Sequence, residues 1–214
     1  HFVKSNAIKN KVNLISKLIP QKGTVLDIGS GTGDFLMTAK NSGWEIKGIE
    51  PNSKAKQIAV SKGVVFEDAL ENIADNSIDV ITMWHVLEHV PNLDEQFKQL
   101  KRIVKPNGYI IIAVPNYKSF DAKHYKEFWA AYDVPRHLWH FSKTAIQKLA
   151  ANYNLKLEKV KPMWFDSFYV SLLSEKYKTG KMNFVKGFLI GFASNVVGMF
   201  KKEFSSHIYI IKNK

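Results

Sequence analysis

The sequence predicts an α/β domain on a largely parallel sheet, and three observations carry that expectation. Short apolar runs alternate with helical runs, those apolar runs carry almost no polar face, and a glycine-rich turn joins the first of them to a helix. Strands that are apolar nearly throughout must be covered on both sides, which is the environment of a parallel sheet. In order, "NAIKNKVNLISKLIP" sets Ile8, Val12, Ile15 and Ile19 on one helical face, and Pro20 ends the pattern. "TVLDIG" (24–29) is the first strand, followed by a helix from Asp34 to Asn41. "EIKGIE" (45–50) is the second, with Asn52 placed to cap the next helix. "VVF" (64–66) reads as a third strand and "SIDVITMW" (77–84) as a fourth. A helix over 93–105 leads through Pro106, Asn107 and Gly108 into "YIIIAV" (109–114). Ser142 caps a helix reaching about Asn152, and "NLKLEKVKPM" (154–163) and "HIYIIKNK" (207–214) are the last two strands. The aromatic stretch 115–141 and residues 164–206 are too long for plain connections, so they are expected as two insertions on one domain spanning 1–214.

Composition narrows the function classes. A chain of 214 residues with 45% hydrophobic side chains can bury one full core. The absence of cysteine excludes disulfides, thiolate zinc and a cysteine nucleophile, and it suits a reducing, cytoplasmic setting. The net charge of +12 is unevenly spread: residues 1–115 carry 14 basic and 12 acidic side chains, residues 116–214 carry 17 and 7. The second half should therefore attract an anionic partner such as a lipid headgroup at the inner membrane face, a phosphate or nucleic acid, unless its lysines serve only solubility. Only Arg102 and Arg136 are arginines. Proteins that read bases lean on arginine forks, so nucleic acid is not the expected partner. No run reaches the ~20 apolar residues of a membrane span. The best candidate, "NFVKGFLIGFASNVVGMF" (183–200), is interrupted by Lys186, Ser194 and Asn195.

The turn "LDIGSGTGDF" (26–35) spaces Gly29, Gly31 and Gly33 between a strand and a helix. Without side chains there, a ligand can approach the backbone and the free N–H groups of the helix start. Glu50 ends the second strand, where a carboxylate can accept two hydrogen bonds from ribose hydroxyls. Asp68 follows the third strand, where an acid can take an adenine amino proton. Alone, each is a tight turn or a solvated carboxylate. Together they lie along one edge of the sheet, where open α/β sheets bind ligands.

With these in place, "VLDIGSGTGDFL", "IKGIEPN", "FEDALENI", "DVITMWHVLEHV" and "LKRIVKPNGYIIIAVPN" resemble the class I S-adenosylmethionine (SAM)-dependent methyltransferases, close to a bacterial ubiquinone-methyltransferase-like subgroup. The resemblance covers residues 24–115 and implies a Rossmann-like, doubly wound sheet of seven strands whose last is antiparallel, with the two insertions (115–141 and 164–206) forming a lid. It implies SAM as cofactor and S-adenosylhomocysteine as product. Asp27, Gly29, Ser30, Gly31, Thr32 and Gly33 would then hold the amino acid part, Glu50 and Pro51 the ribose, and Asp68 and Ala69 the adenine. Met83, Trp84 and His85 would lie along the cofactor. The implied acceptor is a small or lipid-linked molecule, with oxygen favoured as the methylated atom. Two other classes share the motifs: a catalytically silent SAM-fold module that docks on a membrane or partner, and an RNA methyltransferase.

The run "MWHVLEHV" (83–90) also contains H-x-x-E-H, a zinc-peptidase pattern. A peptidase needs those residues inside a long helix. Here they leave a strand, so that use is discounted. The segment also resembles the E-x-x-E-H stretch of ubiquinone-pathway O-methyltransferases, for which a divalent cation has been proposed. No metal is expected here; if one bound, His85, Glu88 and His89 would be the set, and the histidine in place of a carboxylate favours a transition metal over magnesium. The bland alternative is a turn in which Glu88 and His89 bond to backbone.

Methyl transfer needs an aligned nucleophile and, for a hydroxyl, a base. "AAYDVPRHLWHFS" (130–142) offers His137 first, then His140, with His85 behind them, while Arg136 can grip a carboxylate or phosphate. The Phe184, Phe188, Phe192, Val196 and Phe200 series has near-helical spacing. It suits a lid helix packed on the acceptor pocket or a second subunit, or, with its lysines, an interfacial helix on an anionic membrane.

Overall fold

The computed structural model describes the backbone of residues 2–214 and the side chains of residues 5–214. Six strands form one sheet in the order β2-β1-β3-β4-β6-β5. They are β1 (Thr24–Ile28), β2 (Glu45–Ile49), β3 (Ile78–Trp84), β4 (Val104–Pro115), β5 (Leu155–Pro162) and β6 (Ser206–Asn213). The pairs β1–β2, β1–β3 and β3–β4 are parallel, while β6 runs antiparallel to both β4 and β5. The expected antiparallel last strand is present. The expected seventh strand is not: residues 64–66 contribute a single parallel bridge, Gly48 to Phe66. Gly48 exchanges backbone hydrogen bonds with Val65 and Glu67 there, but the segment sits outside β2 with Val65 59% exposed, and three residues after a glycine turn build no longer ladder.

The strand residues alternate between two cores. Leu26, Ile81, Ile110 and Ile211 point to one side, packed with Phe97, Leu100 and Ile103 of α4 (Leu93–Ile103) and Ile146 of α6 (Lys143–Asn152). Val25, Val80, Ile111 and Ile210 point to the other, onto α1 (Phe2–Leu18) and α2 (Asp34–Asn41). This is why the strands read as continuous apolar runs: each successive residue meets a different helix layer. The predicted caps are in place. Asn52 accepts from the Ala55 N–H at the start of α3 (Ser53–Ser61), and Ser142 from the Ala145 N–H at the start of α6.

The first insertion holds α5 (Phe120–Tyr125) and two short 3-10 turns. The second is a helical hairpin of α7 (Asp166–Thr179) and α8 (Phe184–Lys201). The two insertions share a small core of Tyr125, Trp129, Ala130, Ala131 and Val170. A buried carboxylate ties them together. Asp121, fully buried, accepts from Trp129 Nε1 at 2.8 Å, from Ser194 Oγ of α8 at 2.6 Å and from Ser205 Oγ before β6 at 2.7 Å.

The phenylalanine series of α8 does not pack inward as a lid would. Phe184 is 68% and Phe200 82% exposed, while Gly187, Gly191, Ser194 and Gly198 are buried. A Cβ on Gly191 would lie 2.8 Å from the Phe168 Cα, and one on Gly187 2.9 Å from the Leu172 Cα. Small residues let the two helix backbones meet, and the bulky side chains are left outside.

Asp121→Ala leaves three buried donors without an acceptor, so it should cost about 3 kcal/mol or more in chemical denaturation. A loss below about 1 kcal/mol would show that the insertions are held by apolar packing alone.

Candidate functional site

The carboxyl ends of β1, β2 and β3 meet along one edge. After β1 the chain passes through Gly29 and Gly31 at φ 72 and 54, a left-handed backbone that side chains disfavour. A Cβ on Gly29 would strike Val86 Cγ2 at 2.5 Å, whereas the space before Gly31 is open. The Gly31 N–H donates to Glu50 Oε2 at 2.7 Å, and the Asn52 N–H to Glu50 Oε1 at 2.8 Å, so the carboxylate at the end of β2 is fixed against the glycine loop. Asp27 is buried and accepts from Thr82 Oγ1 at 2.5 Å. Burial raises its pKa to about 7, against the pull of the Thr82 hydrogen bond and the Lys11 charge.

Trp84 lies beyond this loop, edge-on to Phe35 at 5.8 Å. Its indole Nε1 and the Ser30 hydroxyl are buried polar atoms without a protein partner, so the edge holds unspent hydrogen-bonding capacity of the kind a nucleoside or amino acid ligand uses. Asp68 is different. Its side chain is 87% exposed, held by Lys56 at 3.2 Å. Thr32 and Gly33 complete the loop, Pro51 follows Glu50 and Ala69 follows Asp68, but Met83 is fully buried in the core and offers a ligand no side-chain surface.

A cavity of about 360 Å³ opens beside the end of β3, lined among others by His85, Glu88, Asp133, Arg136, His137 and Asp166. His85 sits at φ 57 and is 36% exposed into that cavity, with Nδ1 3.3 Å from Glu88 Oε1 and Nε2 3.1 Å from Asp166 Oδ2. Burial opposes charge on this ring, yet the two carboxylates prevail and raise its pKa to about 10. Burial likewise opposes charge on Asp166, and the His85 hydrogen bond holds its pKa below the usual carboxylate value. His85 is therefore an imidazolium at neutral pH, a donor and not a proton acceptor.

His137 donates Nδ1–H to the Ala131 carbonyl at 2.8 Å, which in the neutral ring leaves Nε2 with its lone pair. Arg136 lines the cavity while bonded to Asp133 Oδ1 at 2.6 Å. His140 is exposed, stacks edge-on with Tyr132 and is not among the lining residues; burial of its ring and the nearby His137 lower its pKa. The H-x-x-E-H run follows the end of β3 and includes one 3-10 turn, Leu87–His89, with no peptidase helix. His89 bonds the Arg136 carbonyl at 2.9 Å as a backbone-bonded turn predicts, but the Glu88 carboxylate meets His85 instead of backbone. Among the described residues, metal-ligating atoms converge in Glu88, His89 and His137, within 4.8 Å of one another. That group replaces His85, which the carboxylates occupy, by His137 of the insertion.

Sequence reasoning missed Lys11, Thr82 and Asp166. Lys11 of α1 stands 4.2 Å from the Trp84 ring; burial lowers its pKa while Asp27 and Asp166 act to raise it. A lysine beside the stripe of Ile8, Val12 and Ile15 was the available signal. Asp166 carried none, because only the turn of the hairpin brings it to β3.

A family profile described as a methyltransferase domain matches residues 1–160. The demethylmenaquinone methyltransferase of Bacillus licheniformis is 31% identical over 104 residues, covering 44% of this chain and 45% of that protein. The ubiquinone biosynthesis O-methyltransferase of Paraburkholderia phymatum is 33% identical over 102 residues, 43% of this chain and 44% of that protein. The chain thus matches less than half the length of these curated relatives. A crystal structure from Thermotoga maritima, a SAM-dependent methyltransferase described as a possible histamine N-methyltransferase, superposes with a TM-score of 0.65 at 20% identity, over 97% of this chain and 89% of that one. That likeness establishes a shared fold.

The His85 charge makes a pH prediction. A pKa raised from 6.5 to about 10 contributes stability in full below about pH 6.5 and loses it as pH climbs through about 10. The gap in thermal unfolding temperature between wild type and His85→Gln should be widest near pH 6 and narrow steadily toward about pH 10. A gap independent of pH would mean that the ring is not held charged.

Proposed function

The chain belongs to the methyltransferase-domain family, and from that premise we propose that it transfers a methyl group from SAM to a small or lipid-linked acceptor, with oxygen as the receiving atom. The observation that carries this reading is the adjacency of two compartments at the end of β3. Val86 abuts the glycine loop at Gly29, while its neighbour His85 lines the cavity. The names of the relatives, a demethylmenaquinone methyltransferase and a ubiquinone biosynthesis O-methyltransferase, support a quinone-type ring as the acceptor in that cavity.

The fit to the cofactor rests on the open space at Gly31, the fixed Glu50 carboxylate, and the partnerless Ser30 and Trp84 groups. When bound, the sulfonium supplies an electrophilic methyl carbon. The chain then has three tasks. Glu50 anchors the ribose hydroxyls, and Lys11, placed near Asp27, offers a cation to a carboxylate at the inner end of the loop. His85, as an imidazolium, donates to an acceptor oxygen and orients it. His137 Nε2 would take the proton that the acceptor hydroxyl loses on methylation, so that the positive charge ends on the His137 ring. Arg136, tied to Asp133 at the rim, would hold an anionic substituent of the acceptor.

Calorimetric titration with SAM tests the first part. Glu50→Ala should weaken binding by roughly tenfold to a hundredfold, the worth of lost charge-assisted hydrogen bonds. A folded wild-type protein that binds neither SAM nor S-adenosylhomocysteine would sink the enzyme reading.

The role of His137 is read in turnover of phenolic and quinol acceptors. His137→Gln keeps a donor to Ala131 but has no ring base, so kcat should fall by about a hundredfold or more with SAM affinity unchanged. Full activity in this variant would move the base elsewhere.

A further inference from the structure

More than half of the large apolar side chains that are exposed among the described residues lie in 164–200. On α8 the phenylalanines at 184, 188, 192 and 200 face outward. Phe188 stacks on Phe168 of α7 at 5.2 Å and on Phe192 at 6.5 Å, so the aromatics form a continuous band across both helices. Soluble monomers rarely leave a contiguous apolar patch of this kind uncovered beyond a few hundred Å².

The charges around the band indicate what covers it. The three acids of this region are turned to other tasks: Asp166 holds His85, Glu175 is buried beside Lys186 at 3.1 Å, and Glu203 pairs with Lys143 at 3.2 Å. Lys176, Lys178 and Lys181 at one end of the band, and Lys201 and Lys202 at the other, are exposed, and no acid pairs with them among the described residues. A second copy joined through the same band by a two-fold axis would set lysines against lysines. An anionic bilayer matches both parts, taking the aromatics at the acyl boundary and the lysines at its phosphates.

We propose that the α7–α8 face docks this protein on an anionic membrane surface, with α8 lying in the interface. By length and composition alone α8 could cross a membrane, having 18 residues at a mean hydropathy of 1.2. Its glycine and serine stripe is buried, however, with Gly187 and Gly191 against α7 and Gly198 against Phe204, and Ser194 at mid-helix bonds the buried Asp121. Crossing would strip that bond and bare the stripe, whereas docking disturbs neither. Tyr169 and Tyr177 are exposed on α7 and also line the acceptor cavity, so the docked face carries part of the cavity rim.

The test is flotation of the full chain with vesicles of phosphatidylcholine containing about one-third phosphatidylglycerol, against phosphatidylcholine alone. The protein should float with the anionic vesicles and stay behind with the neutral ones. Phe184→Ser with Phe200→Ser, both at exposed positions, should weaken that binding by roughly tenfold or more. Lys201→Gln with Lys202→Gln should weaken it and flatten its salt dependence. SAM titration and thermal unfolding of the same variants should match wild type, which separates docking from the methyl-transfer reading: either can fail without the other. Folded protein that ignores anionic vesicles, or binds neutral ones equally well, overturns the proposal. So does a dimer in sedimentation that the phenylalanine variants dissolve while vesicle binding is unchanged.

Discussion

The pair of carboxylates around His85 is the constraint on which the arrangement of the site depends. Glu88 reaches the ring from the turn directly after β3, and Asp166 from the first turn of α7, about eighty residues later in the chain. A charged ring between two acids gives each carboxylate a partner, whereas removing the ring leaves two buried acids without one. The ring also holds a left-handed backbone that costs free energy unless its surroundings enforce it. Those two facts belong together: the strained turn aims the imidazole outward, and the hairpin supplies the acid that keeps it there.

The same logic places the insertions. Neither has a core of its own beyond a few aromatic and small side chains, so each depends on polar bonds to the sheet domain. Asp121 receives one hydrogen bond from its own insertion, one from α8 and one from the approach to β6. Buried acceptors of this kind fix a single arrangement because every alternative leaves donors unpaired. The cavity between them is held in place by these bonds, while Ala130, Ala131, Val170 and Leu173 give it an apolar lining. The sheet, by contrast, is held by two apolar layers and needs no such devices.

This division explains how much was legible in the sequence. Apart from 64–66 and the turn 106–108, which β4 runs through, the strand and helix positions through residue 115, the Asn52 and Ser142 caps and the glycine loop follow from local periodicity and turn chemistry, and the structure has them in place. The short run 64–66 predicts a strand because its residues are β-branched and aromatic; propensity cannot tell a ladder from one bridge at a sheet edge. The cavity was only half visible. Arg136 and His137 announced themselves as a polar cluster among aromatics, but His140, three residues from His137, lies on the outer side. Asp166 and Lys11 became site residues through contacts between distant segments, which no spacing rule encodes.

The inverted face of α8 has a more general cause. Hydrophobicity at helical spacing marks the side that avoids water, and in most helices that side meets the core. In α8 the buried stripe of Gly187, Gly191, Ser194 and Gly198 competes with it, and Gly187 and Gly191 allow the backbone approach to α7 while Gly198 packs on Phe204. Close approach gains dispersion contacts along both helices and satisfies Ser194 through Asp121. Packing the phenylalanines inward would have separated the helices and left that serine and the Asp121 carboxylate short of partners. Two apolar demands thus fall on one helix, and the one that also settles a buried charge takes the interior. The bulky face remains outside, beside lysines whose acids are all engaged elsewhere, and it shares two tyrosines with the cavity that the first half of the chain, by itself, does not contain.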